Sequence, residues 1–438
     1  MAVSSRALVD GFRTIVGAGN AHDDRALRQA AAVDGVVPSL VVAPASTEET
    51  AAVVALAAAE QLTIVPRGSG AALEQGAPAE RVDLVLDLAR LERIVEYNPD
   101  DLTISVEAGV TAGTLATALA APGQMLPIDP PGVAARTLGG LAATNASGPL
   151  RARYGTMRDL LLGVRFVQAD GVVTWGGSKV VKSVTGYDVP KLMVGALGTL
   201  GVLTELTLRL HARPEVERTS LVLLPDVRAV QTLVAQILDT SLQPNRLEAF
   251  DAVTTSALDA GAGPGVAVSF GSVEAAVIEQ EAEVARLARR AGALAITAPP
   301  AFWPAYERVW LRDARATLLA VGTLPARLAD TFDAVARATA VLGSNARVAT
   351  GGCAVVGSLR IVMTGAPTSA VAMFVERLRA EIAAWDGTVV VQGAPRDVRA
   401  AVDPWGPVPA DTLALMRAIK ATFDPDRRLN PGRFVGGL

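Results

Sequence analysis

Histidine is nearly missing from this 438-residue sequence: it occurs twice, as His22 and His211, and none follows residue 211. That scarcity removes the side chain that most readily shuttles protons near pH 7 from the second half of the chain. Cysteine is rarer still, with Cys353 alone, which excludes an internal disulfide framework and an all-cysteine iron–sulfur site within this chain. Aromatic residues make up 4 % of the chain, too few to mark a binding hot spot. Although half the residues are hydrophobic, no apolar run reaches the ~18 residues a membrane span requires. The start, Met1-Ala2-Val3-Ser4-Ser5-Arg6, has no apolar segment of secretory type behind it, so the cytoplasm is the expected location, with any membrane association only through partners. A net charge of −4 with mixed signs leaves no basic stripe for nucleic acid.

Glycine, by contrast, is abundant and placed. Between Pro127 and Leu206 it recurs in Pro131-Gly132, Thr137-Leu138-Gly139-Gly140, Thr144-Asn145-Ala146-Ser147-Gly148, Arg153-Tyr154-Gly155, Gly186-Tyr187-Asp188 and Gly195-Ala196-Leu197-Gly198-Thr199-Leu200-Gly201-Val202. Each glycine costs backbone entropy, a cost justified where the chain turns with positive φ or lies against a flat ligand. Turns of this kind between short apolar strands predict a surface for a large planar, phosphorylated cofactor.

Upstream, Leu40-Val41-Val42, an alanine-rich helix from Ala51 to Glu60 opened by Ser46-Thr47-Glu48-Glu49, and Leu62 to Pro66 read as a β-α-β unit. It delivers the chain into Arg67-Gly68-Ser69-Gly70-Ala71, either an anion nest of backbone N–H groups or an ordinary turn. Residues 91–97 and 102–108 read as paired strands, 111–119 as a helix, 160–168 with 172–174 as a hairpin, and 202–210 as a strand. Residues 1–35 read as one or two polar helices, with His22 exposed. After Pro214 glycine thins out. Four strand–helix–strand alternations through Gln392 predict an antiparallel sheet with helices on one face, and Asp411 to Phe423 reads as an amphipathic helix. The expected organisation is an N-terminal segment 1–37, a domain 38–213, a second domain 214–400, and a C-terminal segment 401–438 returning to the first domain.

The motifs from Arg67-Gly68-Ser69-Gly70 through Asp129-Pro130, Thr137-x-Gly-Gly, Thr144 to Gly148, Gly186-Tyr187-Asp188, Gly198 to Val202 and Asn430-Pro431-Gly432 resemble, in order and spacing, the vanillyl-alcohol-oxidase/p-cresol-methylhydroxylase (PCMH) type of FAD-binding family. Within it the chain is most similar to the FAD-binding subunit of bacterial glycolate oxidase. The resemblance implies an α+β, PCMH-type two-subdomain FAD-binding fold with an antiparallel-sheet α+β cap domain. It implies FAD held by Arg67, Gly68, Ser69, Gly70 and Ala71, by Asp129, Pro130 and Pro131, by Thr137, Leu138, Gly139 and Gly140, by Thr144, Asn145, Ala146 and Ser147, by Gly198, Thr199, Gly201 and Val202, and by Asn430. No histidine or cysteine falls near these loops, so attachment is expected to be non-covalent, with Cys353 an unreactive thiol. No metal ligands are expected.

Active relatives carry a histidine-rich metal motif in the second domain, and this chain has none. The resemblance therefore implies a flavoprotein subunit acting on a small 2-hydroxy acid with a second flavin subunit and an iron–sulfur subunit. A self-sufficient oxidoreductase and a non-catalytic scaffold remain open alternatives. Substitutes for the missing histidines are Arg312 and Arg360, which can hold a carboxylate bidentately, and Tyr306 or Tyr187, which can donate to an oxyanion; each arginine has the alternative of a solvated or interface charge. Asp188 is expected to cap the helix starting at Val189, while Lys179 and Lys182 either neutralise phosphate or lie in solvent. His211 is expected to orient or to lie at the surface.

Overall fold

The computed structural model describes residues 5–178, 187–311 and 313–438. Lys179, Lys182, Gly186 and Arg312, for which the sequence offers roles, lie outside those residues. The fold is α+β, with three main sheets and a two-stranded ribbon.

The first sheet grows from the β-α-β unit. Leu40–Val42 is buried along its length and feeds the helix Thr47–Ala59, where the Ser46 side chain accepts from the Glu49 amide. The chain returns through Ile64–Arg67, parallel to the first strand, with Leu84–Asp87 between the two. Ala21–His22 adds an antiparallel edge against Val41 and Val42. His22 is therefore half-buried in a strand rather than exposed as expected. The reason is the amphipathic helix Ser5–Val16, which the sequence pattern left unplaced: its Val9, Phe12 and Val16 pack into the core of this sheet.

The second sheet is antiparallel, in the order Ile94–Asn98, Thr103–Glu107, Val202–Arg209, Leu161–Val167, Val173–Gly177. Its central strands are almost wholly buried and close on the helix Leu138–Thr144.

The third sheet has eight antiparallel strands between residues 216 and 393. Period-two alternation decides its two faces. Leu247, Ala249, Leu319, Val321, Leu359, Ile361, Val389 and Val391 enter one core with the helices Val227–Leu238, Glu274–Arg290, Leu328–Thr339 and Thr368–Ile382. Each buried valine, leucine or isoleucine among these contributes about 1.5–3 kcal/mol of transfer free energy. The intervening residues, among them Glu248, Leu318, Ala320, Ser358 and Arg360, belong to the opposite face. That face is covered partly by the helix Phe302–Trp310 and partly borders a cavity shared with the glycine-rich half.

Candidate functional site

The site begins where the strand Ile64–Arg67 ends. Gly68, Ser69, Gly70, Ala71 and Ala72 line a hollow of about 80 Å³, and none of their five backbone N–H groups donates to a backbone acceptor. Gly70 takes φ +78°, and a Cβ at Gly68 would stand 2.1 Å from Thr137 Oγ1. Glycine is thus what lets this loop press against the cap of the helix Leu138–Thr144, where Thr137 Oγ1 accepts from the Gly140 amide at 3.3 Å. The result is an open nest of donors of the kind that binds phosphate.

The far wall is held in strained backbone. Leu197 sits at φ +51°, a conformation rare outside glycine. Its N–H donates to Ala143 O at 2.9 Å, and its carbonyl accepts Asn430 Nδ2 at 2.7 Å. Asn430 is itself fixed by the Asn430 amide donating to Ile64 O at 2.8 Å. The C-terminal segment holds the nest from beneath: the buried Arg433 guanidinium donates to the carbonyls of Leu73, Gln75 and Ala77. Burial brings its pKa down to about 10.

Beyond the nest the hollow opens into a cavity of about 560 Å³ between the glycine-rich half and the eight-stranded sheet. The two share Ser69, Ala71, Ala72, Gln75, Arg136 and Thr144 in their walls. Asn145, at φ +47°, borders the cavity with a buried Oδ1 that has no partner. Three arginines border it too. Among the described residues Arg136 reaches only Thr144 Oγ1, at 3.4 Å. Arg151 Nη1 donates to Ser147 Oγ at 3.2 Å and to Ser358 Oγ at 2.8 Å. Arg360 donates to Ser147 O. Burial, followed by the neighbouring Arg360 charge, lowers the pKa of Arg136; burial lowers that of Arg151 as well.

Of the residues expected to hold FAD, Arg67 to Ala71, Thr137, Gly140, Thr144 and Asn430 line the first hollow. Gly139, Gly198 and Gly201 line its continuation, and Pro130, Pro131, Asn145, Ala146 and Ser147 line the cavity. Four stand behind the wall. Leu138 and Val202 are core residues. The Thr199 hydroxyl donates to Ala196 O. Asp129 gives one oxygen to the Leu150 amide and the other to Arg246, while burial raises its pKa.

Of the expected catalytic side chains, Arg360 is in the cavity wall. Tyr306 is buried behind it, donating to Glu248 Oε2 at 2.6 Å. Tyr187 is 94 % exposed and outside the lining. Asp188 caps the helix Val189–Met193 as expected. His211 is half-buried edge-on to Tyr154 at 4.9 Å. Cys353 is buried, its thiol pushed up to about 12 mainly by desolvation. Among the described residues no group of three or more histidine, cysteine or acidic side chains is placed to hold a metal ion, and no helix is long and apolar enough to cross a membrane.

Sequence reasoning missed Arg136, Arg151 and Glu248. A signal existed for two of them: Arg151 follows Ser147 by four residues, and Glu248 interrupts an apolar strand. Glu248 is fully buried, its Oε1 has no partner, and desolvation raises its pKa to about 7.

An unpaired nest, an orphaned amide oxygen and glycines packed to contact together fit a phosphorylated planar cofactor. A FAD binding domain model matches residues 38–177, and a model of the C-terminal domain of FAD linked oxidases matches residues 407–434. The chain is 35 % identical to a probable mitochondrial D-lactate dehydrogenase of Danio rerio, over 57 % of this chain and 52 % of that one. It is 33 % identical to the glycolate oxidase subunit GlcD of Bacillus subtilis, over 56 % and 52 %, and 36 % identical to the subunit GlcE of Escherichia coli, over 43 % and 52 %. The chain thus spans about half the length of the curated relatives it matches. Substrate-bound p-cresol methylhydroxylase superposes with a TM-score of 0.79 at 19 % identity, covering 98 % of this chain and 96 % of the other. The chain is a FAD-binding protein of the PCMH-type fold, with the FAD binding domain and the C-terminal segment of the FAD-linked oxidases.

Proposed function

We propose that this chain is a FAD-dependent oxidoreductase acting on the CH–OH group of a small 2-hydroxy acid, and that it works as the flavoprotein subunit of a glycolate-oxidase-type assembly with a second flavin subunit and an iron–sulfur subunit. One observation carries the reading. A cavity bordered by Arg136, Arg151 and Arg360, none of them ion-paired among the described residues, opens directly from the proposed phosphate nest. Its other wall is the cavity-side face of the eight-stranded sheet, which carries Arg360.

FAD, once bound, supplies the acceptor for a hydride from the substrate carbon. The residues expected to hold it, without a covalent link, are the amides of Gly68 to Ala71, the Thr137 to Gly140 turn, the Thr144 to Ser147 backbone and Asn430. Arg360 is the anchor for the substrate carboxylate, because a guanidinium presents a planar fork that a carboxylate matches. Its bond to Ser147 O fixes that fork beside the cofactor loops. Trp310 and Leu311 line the cavity on its cap side and give it an apolar wall there.

The hydroxyl proton has no histidine acceptor after residue 211. That gap, and the likeness to relatives named as glycolate oxidase subunits, are what favour a partner-dependent enzyme over a self-sufficient one. The test is the visible spectrum of the purified chain during anaerobic addition of glycolate and D-lactate, alone and with its co-purified partners. The expected result is yellow protein whose colour is released by acid and bleaches only with partners present. Bleaching of the isolated chain overturns the subunit reading in favour of a complete dehydrogenase. A protein that is colourless after FAD addition leaves only a scaffold.

A further inference from the structure

Behind the cavity wall lies an acid that the cofactor site does not account for. Glu248 stands in the middle of the strand Arg246–Phe250, on the sheet face turned to the cavity. In register it is opposite Cys353, and Cys353 is opposite Ser358. Residues paired in this way share a sheet face. The three therefore form a row from the buried acid to the cavity wall, where Ser358 Oγ accepts from Arg151 Nη1. Arg360 stands two residues beyond Ser358 on the same face. Two strand spacings separate the ends of the row by roughly 10 Å, within reach of a charge acting through an interior. Glu248 is 1 % exposed, accepts the Tyr306 hydroxyl on Oε2 at 2.6 Å, and leaves Oε1 without a partner.

The groups that act on its charge are few. Desolvation is the largest influence and raises its pKa; the Tyr306 bond, Arg360 and Arg151 lower it, Asp129 raises it, and the balance falls at about 7. Asp129 is itself bonded to Arg246, and Cys353 is a thiol pushed up to about 12, hence neutral. Glu74 also borders the cavity and has interactions of its own. The remaining neighbours, Phe250, Ala267 and Phe302, are apolar. Arg151 and Arg360 meet at Ser147, so an anion on either one enters the field that both project toward Glu248. Such an anion offsets the positive charge that favours the carboxylate and adds a like charge beside it. The coupling is reciprocal: an ionised Glu248 weakens the anion by the same factor.

We propose, building on the 2-hydroxy-acid reading, that Glu248 is a positioning residue for the substrate, acting through Arg151 and Arg360: with its carboxyl protonated the cavity accepts a substrate carboxylate, and with it ionised the cavity disfavours one. When the substrate meets an ionised Glu248, binding draws a proton from solvent onto that carboxyl, so the entering charge leaves no added charge in the interior.

Isothermal titration of the FAD-loaded protein with pyruvate reads this without turnover. Pyruvate keeps one negative charge from pH 6 to pH 8 and has no CH–OH group to oxidise. Repeating each titration in two buffers of different ionisation heat counts the protons taken up. Retained flavin absorbance reports that each variant is folded. Wild type should bind about threefold to tenfold more weakly at pH 8 than at pH 6, with proton uptake on binding. E248Q should bind equally across that range and take up no proton. Tyr306→Phe removes a bond that favours the ionised carboxyl, so its fall in affinity should move to higher pH. Wild-type binding that does not change with pH overturns the inference and leaves the 2-hydroxy-acid reading standing. A fall in affinity that persists in E248Q does the same, by assigning the titration to another group. If E248Q loses its flavin, Tyr306→Phe decides, and an unmoved pH profile overturns the inference. Absence of pyruvate binding at every pH, in protein that keeps its flavin, overturns the reading and the inference together.

Discussion

Glu248 shows how one residue can be read only after the sheet around it is known. Its neighbours on the strand, Leu247 and Ala249, point into the helical core, so alternation sends the carboxyl to the cavity side, where Tyr306 and Phe250 seal it from water. Desolvation is the largest influence and outweighs the Tyr306 hydrogen bond and the Arg360 charge, so the pKa rises from 4.5 to about 7. A carboxyl with a raised pKa in the fold holds a proton that the unfolded chain has already released. Its stabilising contribution is therefore full below about 4.5 and is lost as pH rises through about 7. Glu248→Gln keeps an acceptor for Tyr306 and cannot titrate. Its stability should lose up to ~1.4 kcal/mol per pH unit of the wild-type slope inside that window, and above pH 7 it should equal or exceed wild type. Urea midpoints at pH 5, 6, 7 and 8 measure this, and parallel curves for the two proteins would refute the assignment.

At the scale of elements, the C-terminal helix Ala410–Phe423 is fastened by a buried ion pair. Lys420 Nζ donates to Asp424 Oδ2 at 2.6 Å, to Thr199 O at 2.7 Å and to Leu429 O at 3.1 Å. Asp424 in turn accepts the amides of Arg428 and Leu429, which starts the return of the chain to Asn430. Burial lowers the lysine pKa and Asp424 pulls it back. Lys420→Met strands a carboxylate with a side-chain exposure of 0 %, so a loss of about 3–5 kcal/mol is expected. Adding Asp424→Asn, which removes the stranded charge while keeping an acceptor for the two amides, should recover part of it. Chemical denaturation checks both, and a loss below ~1 kcal/mol for the single variant would mean the pair is solvated.

Elements of strong period were legible in the sequence. The helices Thr47–Ala59 and Ala112–Ala118 fall where the pattern put them, because one face of each meets a core and the other does not. Several helices escaped, two of them beside the site. Leu138–Thr144 contains Gly139 and Gly140, poor helix formers, yet Gly139 is needed because a Cβ there would meet Ala108 at 2.8 Å. Phe302–Trp310 carries Pro304 in its first turn, where proline is tolerated, and its burial of Phe302, Tyr306 and Trp310 is the real helical signal. The nest residues were legible because glycine marks them locally. Arg136 carries no such local mark, and the marks on Arg151 and Glu248, a spacing of four from Ser147 and an acid inside an apolar strand, gain meaning only from the wall each one faces.

Across the whole molecule, the glycine-rich half and the eight-stranded sheet meet through few but directional contacts. Arg246 reaches Asp129 at 3.0 Å, Glu307 accepts the Gly132 amide at 2.7 Å, and Arg151 and Arg360 lock onto Ser358 and Ser147. These four contacts, among those between the halves, end on residues beside the loops proposed to hold FAD. Stabilising those loops therefore also stabilises the seat of the cap, so FAD should raise the stability of both halves together. A ligand that binds only the folded state adds about 2.7 kcal/mol at a free concentration of a hundred times its Kd. The cap holds Trp303, Trp310 and Trp385 among the chain's five tryptophans, so their fluorescence reports its unfolding while flavin release reports the other half. Melting the stripped protein at increasing FAD should move both signals upward in temperature in step. A tryptophan transition that stays fixed while flavin release shifts would show that the bridging bonds do not couple the halves, and that the cap folds on its own account over a cofactor domain that it merely covers.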